Sequence, residues 1–448
     1  MTKKGLALLS LLFLTSCQLG GGPTGPSSDT PKEDTPTDQK DDDKPGGEEE
    51  NPGEDEGDKP GEDEGGDTPG GGGEEEQPKE VDFVPEVGEV RLLFETGKAG
   101  ETLIYNYCPS IFVENGVEHV YFCSNQVEGN VTDYVGYRRG VIKDNKVEFS
   151  NETQFVLSHG SNGSWDYRHA CDPSVIKGEF KFHGENYFYL MAYLGCVPSN
   201  CTRNETGIAV AKTPVGPWVK CDFKQDGVTK INPIVPYSDF QCNDNSWGTG
   251  QPSIFSVDKK GRVIMCTTVG ATNGTFTNVR EYDFSDIDNY QLIRERLSVK
   301  TDGIKGTGTG ASMINNGDFG YDYEKKRVIL AKPRQFQGLD GKSPDFIADT
   351  IDVYYLDDTE GTGVGDVLFA GNNSAKTWKA IGEINQTLTG FLRNHNTGLI
   401  TDEYGGIDSS KGRVGVAFTR SDEGTSSNWS YLSTYRIYAT AFNFPKKY

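Results

Sequence analysis

Histidine and methionine are scarce in this chain, with five His and four Met among 448 residues. Imidazole bases and soft metal ligands are therefore few. Basic residues are also outnumbered, since 44 Lys and Arg stand against 67 Asp and Glu, for a net charge of −23. We expect no nucleic-acid partner, because nucleic-acid binding needs a basic surface that displaces counterions.

Long hydrophobic runs are absent as well. The longest run near the start, residues 6–14, follows Lys3 and Lys4 and is shorter than the roughly 20 residues that span a bilayer. It ends in Leu-Thr-Ser-Cys at residues 14–17, which resembles the lipobox of bacterial lipoproteins. The resemblance implies a signal peptide over 1–17, a lipidated Cys17 that anchors the chain to the membrane, and a place at the outer membrane or bacterial cell surface. An ordinary secretory peptide with a chance Cys is the alternative.

The acidic charge is concentrated in residues 18–80, which hold 22 acidic and 5 basic residues. This stretch is rich in Gly and Pro and has almost no apolar side chains, so it cannot offset the entropy of ordering. We predict a disordered acidic linker there. The remaining residues, 81–448, carry 45 acidic and 37 basic residues and form the folded part, which is only mildly acidic.

Five repeats organise residues 81–448. Each repeat has a short apolar strand, a turn and a second strand rich in β-branched or aromatic residues, which predicts an all-β fold. The first strands of the repeats lie at residues 109–112, 173–176, 252–255, 311–314 and 396–400. The spacing leaves room for four strands per repeat, so we predict a five-bladed β-propeller, closed by pairing of residues 435–442 beside 90–94. A pair of β-sandwiches is the alternative.

Three motifs carry a family resemblance. They are Asp-Pro-Ser-Val-Ile at 172–176, the segment 207–218 ending in Gly-Pro-Trp, and His-Asn-Thr-Gly-Leu-Ile at 395–400. Together they resemble glycoside hydrolase family 43 and its five-bladed relatives, over most of residues 100–445. The resemblance implies a carbohydrate partner, a catalytic role for Asp172, and an axial His395 that holds one calcium ion through waters.

Two of the three catalytic carboxylates of the resembled family are missing. Cys108 stands where the family has its base, and Gly250 or Gln251 stands where it has its acid. Hydrolysis of a glycosidic bond needs one protonated and one ionised carboxylate, and neither a thiol nor an amide replaces them. We expect the lone Asp172 to lie in wet surroundings, to stay ionised and to accept hydrogen bonds from sugar hydroxyls.

Further substrate-binding residues are predicted at the mouth of the axis. Arg168 and His169 precede the second repeat and Trp247 precedes the third, where they suit sugar hydroxyls and stacking faces. Cys108 and Gln251 complete this set. Ordinary loop packing is the alternative for Arg168, His169 and Trp247.

The nine cysteines allow disulfides in an exported protein. With Cys17 lipidated, eight remain. We predict a bridge between Cys196 and Cys201, which a Val-Pro-Ser-Asn loop separates. Cys108 and Cys171 both precede repeat starts and could also be bridged if their Cα atoms lie within about 7 Å.

Three functions remain open at this point. The first is a monomeric surface protein that binds glycans and has lost hydrolysis. The second is an active glycosidase of the arabinosidase or xylosidase type, with replacement carboxylates from Asp166, Asp239 or Asp244. A protein-docking propeller is a third, since the fold hosts many functions.

Overall fold

The computed structural model describes residues 83–95, 104–126, 130–144, 146–197, 202–225, 228–230, 232–305, 313–334, 347–421 and 431–448. Strands dominate these ranges, which contain two short α-helices, α1 (Asp366–Ala370) and α2 (Gln386–Thr389). No helix within them has the length and apolar character needed to cross a bilayer. The predicted signal peptide with Cys17, and the predicted linker over 18–80, lie outside the described residues.

Most strands form antiparallel units of four, which we number one to five in chain order. Unit one has a fifth strand, which pairs with its third strand, and a separate two-stranded hairpin follows unit two. Unit one comprises β2 (Asn106–Glu114), β3 (Val117–Ser124), β4 (Tyr134–Lys143), β5 (Lys146–Phe149) and β6 (Gln154–Leu157). Unit two comprises β7 (His169–Phe182), β8 (Glu185–Cys196), β9 (Glu205–Ala211) and β10 (Val219–Lys220), and the hairpin is β11 (Phe223–Gln225) with β12 (Val228–Lys230). Unit three comprises β13 (Gly248–Ser256), β14 (Arg262–Ala271), β15 (Gly274–Asp283) and β16 (Gln291–Arg296). Unit four comprises β17 (Asp318–Asp322), β18 (Arg327–Pro333), β19 (Ile351–Asp357) and β20 (Lys379–Ile384). Unit five comprises β21 (Arg393–Asp402), β22 (Arg413–Ser421), β23 (Arg436–Asn443) and β1 (Arg91–Leu92).

The second strands of the units are nearly continuous apolar runs because both of their faces are buried. On β14, Val263 and Met265 belong to a cluster shared with unit two, while Ile264 and Cys266 belong to a cluster shared with unit four. Successive side chains of a strand point to opposite faces, so each sheet packs against a neighbour on either side.

Such clusters fill the boundary between every pair of neighbouring units, including the boundary between unit five and unit one. Tyr121 and Met191 share a cluster between units one and two, and Leu190 and Met265 share one between units two and three. Ile264 and Leu330 lie together between units three and four, and Ile329 and Val416 between units four and five. Phe122 and Ile437 share a cluster between units one and five. Each unit therefore shares an apolar cluster with two other units.

The first and last strands meet in unit five. Arg91 pairs with Ala439 and Leu92 with Tyr438, so β1 forms the outer strand beside β23. The predicted pairing of the two ends is confirmed. On the inner side, β21 runs parallel to β2, with Ile400 opposite Ile111.

The Ser of the repeated Pro-Ser motif links each inner strand to the next. The backbone N–H of Val175 donates to Ser110 Oγ at 3.2 Å, that of Ile254 to Ser174 Oγ at 3.0 Å, and that of Phe319 to Ser253 Oγ at 2.7 Å. Asp318 takes this role in unit four, where its Oδ2 accepts from the N–H of Leu399 at 2.6 Å. In unit five the corresponding residue is Gly398, whose Cβ, if present, would lie 2.2 Å from the carbonyl oxygen of Pro109.

The fourth repeat begins later than the sequence predicts. The predicted strand at 311–314 is wrong for residues 313 and 314, which belong to no strand, and residues 311 and 312 lie outside the described part. The inner strand is β17, and its Phe319 and Tyr321 supply the apolar side chains that the prediction assigned to Met313 and Ile314.

Candidate functional site

Five residues with a positive φ mark the start of the inner strands. They are Cys108, Asp172, Gln251, Asn316 and Asn396, with φ between 44° and 50°. In units one, two, three and five the strand register shifts at this residue. Non-glycine residues rarely adopt a positive φ, and such strain is often found at functional sites.

Four of these positions line a small cavity. Its lining includes Cys108, Asp172, Gln251, Asn316 and Thr397, together with the neighbouring prolines, Gly317 and Asp318. The cavity volume is about 20 Å³, which is room for roughly one water molecule. A sugar ring does not fit into the space that the described residues leave here.

Asp172 is buried in this cluster rather than exposed to solvent. Its side chain shares a hydrogen bond with the Cys108 thiol and accepts one from the backbone N–H of Gln251. Burial first, and then the charge of the Asp133 carboxylate, raise the pKa of Asp172 to about 7. The prediction of an ionised Asp172 in wet surroundings is wrong, because its residue is only 7% exposed.

A disulfide borders the same carboxyl group. It joins Cys123 on β3 to Cys171 on β7 and thus connects units one and two. The sulfurs of Cys171 and Cys123 lie 3.3 and 3.6 Å from Asp172 Oδ1. The suggested bridge between Cys108 and Cys171 is wrong, since Cys171 is already paired.

Cys108 is a buried thiol beside this disulfide. Its Sγ receives a hydrogen bond from the side-chain amide of Asn396. Burial raises the pKa of the Cys108 thiol well above its ordinary range, and the neighbouring Asp172 adds to the effect. Sulfurs of Cys108 and Cys123 and an oxygen of Asp172 lie within 4.8 Å of one another. Because Cys123 is oxidised, this group does not offer a second thiolate to a metal ion.

Asp318 is a second carboxylate in the cavity lining that sequence reasoning missed. Its Oδ1 accepts a hydrogen bond from the Ser253 hydroxyl at 2.7 Å, and its Oδ2 accepts the Leu399 N–H. Burial raises its pKa to about 6. Both oxygens are engaged in links between inner strands, so Asp318 serves the fold at this position.

His395 is buried two residues before the position through which unit five lines the cavity. The fifth unit contributes Thr397 to the lining, and Asn396 contacts Cys108, whereas His395 is not among the lining residues. Burial lowers the pKa of His395 to about 3, and Arg393 contributes to this shift, so its ring is neutral. Among the described residues its Nε2 has no hydrogen-bond partner.

The other predicted binding residues do not line the cavity. His169 is fully buried, and its Nδ1 lies 2.7 Å from Asp133 Oδ2. Arg168 is half-buried, and its backbone N–H donates to the carbonyl of Cys196. Trp247 is buried against Gly250 and Gly270, where an added Cβ would lie 3.0 and 2.9 Å from its side chain. Its indole is therefore packed in the protein and offers no open stacking face.

The three replacement carboxylates are spread over other parts of the structure. Asp166 is buried, accepts a hydrogen bond from the Tyr193 hydroxyl at 3.1 Å and pairs with Lys220. Asp239 pairs with Arg280 at 2.8 Å, and the exposed Asp244 lies 3.6 Å from Arg203. None of the three lines the small cavity beside Asp172.

The remaining cysteine prediction is not tested here. Cys196 is buried in β8, whereas Cys201 lies outside the described residues. The bridge between Cys196 and Cys201 stays a prediction.

Similar solved structures are glycoside hydrolases by their descriptions. A family 117 glycoside hydrolase of the marine bacterium Zobellia galactanivorans is 10% identical, with a TM-score of 0.46 over 79% of this chain and 88% of the other. An alpha-L-arabinofuranosidase of Podospora anserina in complex with cellotriose is 12% identical, with a TM-score of 0.45 over 79% and 95%. An endo-arabinase of Bacteroides thetaiotaomicron is 13% identical, with a TM-score of 0.41 over 82% and 99%.

These neighbours are described as the class of enzyme that the sequence motifs resemble. No protein-family model and no curated protein matches the sequence. At such low identities the function of this chain has to be argued from its own residues.

Proposed function

We propose that this chain is a surface-anchored, glycan-binding propeller that does not hydrolyse glycosidic bonds. The observation that carries the proposal is the axial cavity of about 20 Å³, in which Asp172 is buried against a thiol and a disulfide. Carbohydrate enters as the partner through the family resemblance, and the neighbours' descriptions name cellotriose and an arabinase activity for those proteins.

The five units are, in this proposal, the five blades of one propeller. The apolar clusters at all five boundaries support a ring, because each sheet has a neighbour on both faces. The pairing of β1 with β23 supports closure between the two ends of the described body. A ring of blades leaves only short and protected sheet edges.

Hydrolysis by two carboxylates is not supported by the axial residues. Retaining enzymes place the carboxyl groups about 5–5.5 Å apart and inverting enzymes about 6.5–9.5 Å apart, on either side of the bond. Here Cys108 and Gln251 stand in two of the five equivalent positions, and Asp318 is held by Ser253 and Leu399. Asp172 alone cannot supply both an acid and a base.

Surface anchoring is the second part of the proposal. It rests on the sequence of residues 1–80, with a lipidated Cys17 followed by an acidic spacer that holds a monomeric propeller off the bacterial outer membrane or cell surface. Two or more acyl chains give stable anchoring, whereas a single chain is marginal.

A Cys17→Ser variant should move from the membrane fraction to the soluble fraction. Retention of the variant in the membrane fraction would contradict the proposed anchor.

One calcium ion beside His395 is the third part. The buried Nε2 of His395 and the buried Oε1 of Gln251 have no partner among the described residues, and such atoms normally bind ordered water. Calcium prefers oxygen ligands, including water, so His395 would act through a hydrating water. Metal analysis of the purified chain should find about one calcium per molecule, and a His395→Ala variant should lose it. A calcium-free parent would contradict this part.

A glycan array probed with the purified full chain tests the proposed function. We expect binding to a restricted set of glycans, with none of them shortened after long incubation. Absence of binding across the array would contradict a glycan-binding role.

A further inference from the structure

A larger groove lies between the segment that follows β12 and unit three, and it shares no lining residue with the small cavity beside Asp172. Its volume is about 750 Å³, within the roughly 300–1,000 Å³ typical of small-molecule sites. One wall is the segment after β12 that contains Asp239 and Phe240, and the other is the outer edge of unit three. The floor contains Arg280 and Tyr282.

The strand register of unit three builds the second wall. Arg280 and Tyr282 on β15 lie opposite Glu295 and Leu292 on β16. These pairs are two residues apart on β15 but three apart on β16, so Ile293 is an extra residue in a bulge. The bulge brings Leu292 and Glu295 to the same side of the edge strand, and bulges at sheet edges often aim side chains at functional sites.

The polar floor offers hydrogen-bond acceptors to a ligand. Arg280 is buried, and it donates from Nε to Glu295 Oε1 at 2.9 Å, from Nη2 to Asp239 Oδ2 at 2.8 Å, and from Nη1 to the Tyr282 hydroxyl at 3.3 Å. The side chains of Asp239 and Glu295 are 38% and 36% exposed. The second oxygen of each has no partner among the described residues, so two fixed carboxylate oxygens are available to hydroxyl donors.

Apolar surface surrounds these acceptors. Phe240 packs beneath Arg280, with its ring centroid 5.5 Å from the guanidinium carbon. The rim carries Leu292 and Leu297, which are 46% and 58% exposed. Tyr290 completes the aromatic part of the lining. A ligand that has both C–H faces and several hydroxyls matches this combination.

We propose that this groove binds a neutral oligosaccharide. The site rests on the proposed glycan-binding function and places it away from the axis. One guanidinium faces two carboxylates, so the floor has a net negative charge that disfavours acidic or sulfated sugars. Neutral sugars instead donate hydroxyl hydrogens to Asp239 and Glu295 and pack their C–H faces on Phe240.

Two variants of the full chain test the groove, each with a matched control. Phe240→Ala removes an aromatic face, and its control, Phe188→Ala, truncates a 46% exposed Phe outside the groove lining. Asp239→Asn removes one charge, and its control, Asp244→Asn, changes an 83% exposed carboxylate outside the lining. All four should keep the melting temperature of the parent within a few degrees. Retained folding makes a change in binding specific to the groove.

The probes are arrayed neutral oligosaccharides, with an oligogalacturonate and a chitosan oligosaccharide as the acidic and basic arms. We expect binding of neutral glycans, weakened roughly tenfold or more by Phe240→Ala and Asp239→Asn but not by either control. Glycan binding that neither groove variant weakens would overturn the groove while leaving the proposed function intact. Binding of only the acidic or only the basic probe would also overturn the groove, and no binding at all would overturn both proposals.

Discussion

Cys108 and Asp172 share a hydrogen bond in the interior, and burial raises the pKa of both side chains. A buried thiol with a raised pKa is a poor nucleophile, because the thiolate is the reactive form. A buried carboxyl group with a pKa near 7 is partly protonated under physiological conditions. At the scale of single residues, Cys108 and Asp172 therefore form a buried and weakly charged cluster.

Alkylation should distinguish Cys108 from a more accessible cysteine. Cys242 is half-buried, whereas Cys108 is only 6% exposed. Burial raises the pKa of the Cys242 thiol as well, so the reaction is run at mildly alkaline pH. We expect iodoacetamide then to modify Cys242 in the folded protein and to modify Cys108 only after a denaturant is added. Peptide mass spectrometry reads the two sites separately. Equal labelling of both in the folded state would mean that the axis is open.

The pH dependence of stability should change when Asp172 becomes Asn. Since the pKa of Asp172 rises from 3.8 in its ordinary state to about 7 in the folded protein, the folded state holds a proton that the unfolded chain loses between about pH 4 and 7. The Asp172 side chain thus makes folding less favourable as pH rises through this window. Asp172→Asn removes this loss of stability, which lowers the free energy of unfolding of the parent by at most roughly 4 kcal/mol at pH 8.

Urea unfolding at several pH values from 4.5 to 8 measures this effect. The free energy of unfolding of Asp172→Asn, relative to the parent, should increase with pH, whereas that of the exposed control Asp244→Asn should not. A difference between Asp172→Asn and the parent that stays constant over the whole range contradicts the buried, raised-pKa carboxyl.

Residue types at the axis could be predicted, but their surroundings could not. The family resemblance indicated Cys108, Asp172 and either Gly250 or Gln251 as equivalent positions, and the structure places Cys108, Asp172 and Gln251 in one cavity lining. Burial depends on how five sheets pack, which no local pattern records, so the ionised Asp172 was wrongly expected. The pairing of Cys171 with Cys123 likewise depends on which strand of unit one faces unit two.

At the scale of elements, the Pro-Ser motif links neighbouring inner strands. Each Ser hydroxyl, or the Asp318 carboxylate, accepts a backbone N–H from the following unit. A backbone N–H that is buried without a partner is costly. The motif is therefore explained by the joining of units, independently of any substrate.

Ser174→Ala tests this linkage. It leaves the N–H of Ile254 without the acceptor at 3.0 Å, which should lower the free energy of unfolding by about 1–3 kcal/mol. The control is Ser161→Ala, at an exposed loop position, and it should change stability by less than about 0.5 kcal/mol. Urea unfolding measures both, and equal effects of the two variants would contradict a linking role.

Most strands could be predicted because their residues repeat. The second strands at 262–266, 327–331 and 413–418 all fall within β14, β18 and β22. The inner strand of unit four could not be placed, because it follows Asn-Gly and Asp318 replaces the Ser of the motif. Because the Pro-Ser pattern is missing there, the prediction wrongly placed the beginning of the strand at the apolar pair Met313 and Ile314.

At the scale of the whole molecule, charge and function are assigned to different parts of the chain. Residues 18–80 hold 22 acidic and 5 basic residues, so most of the net charge of −23 lies outside the described body. The acidic composition therefore gives no information on the ligand of the body. The groove beside unit three shows no motif in the sequence, because it combines the segment that precedes unit three with the two outermost strands of that unit.

Hydrolysis by the axial residues is the most direct test of the central claim. The purified full chain and its Asp172→Asn variant are assayed in parallel on chromogenic aryl arabinosides and xylosides. We predict no turnover by the parent above the rate seen with Asp172→Asn, because the cavity beside Asp172 has room for about one water molecule and, among the residues that the structure describes, its lining offers no second carboxylate free to act. Robust hydrolysis by the parent that the Asp172→Asn variant abolishes would contradict the account and assign catalysis to the axis.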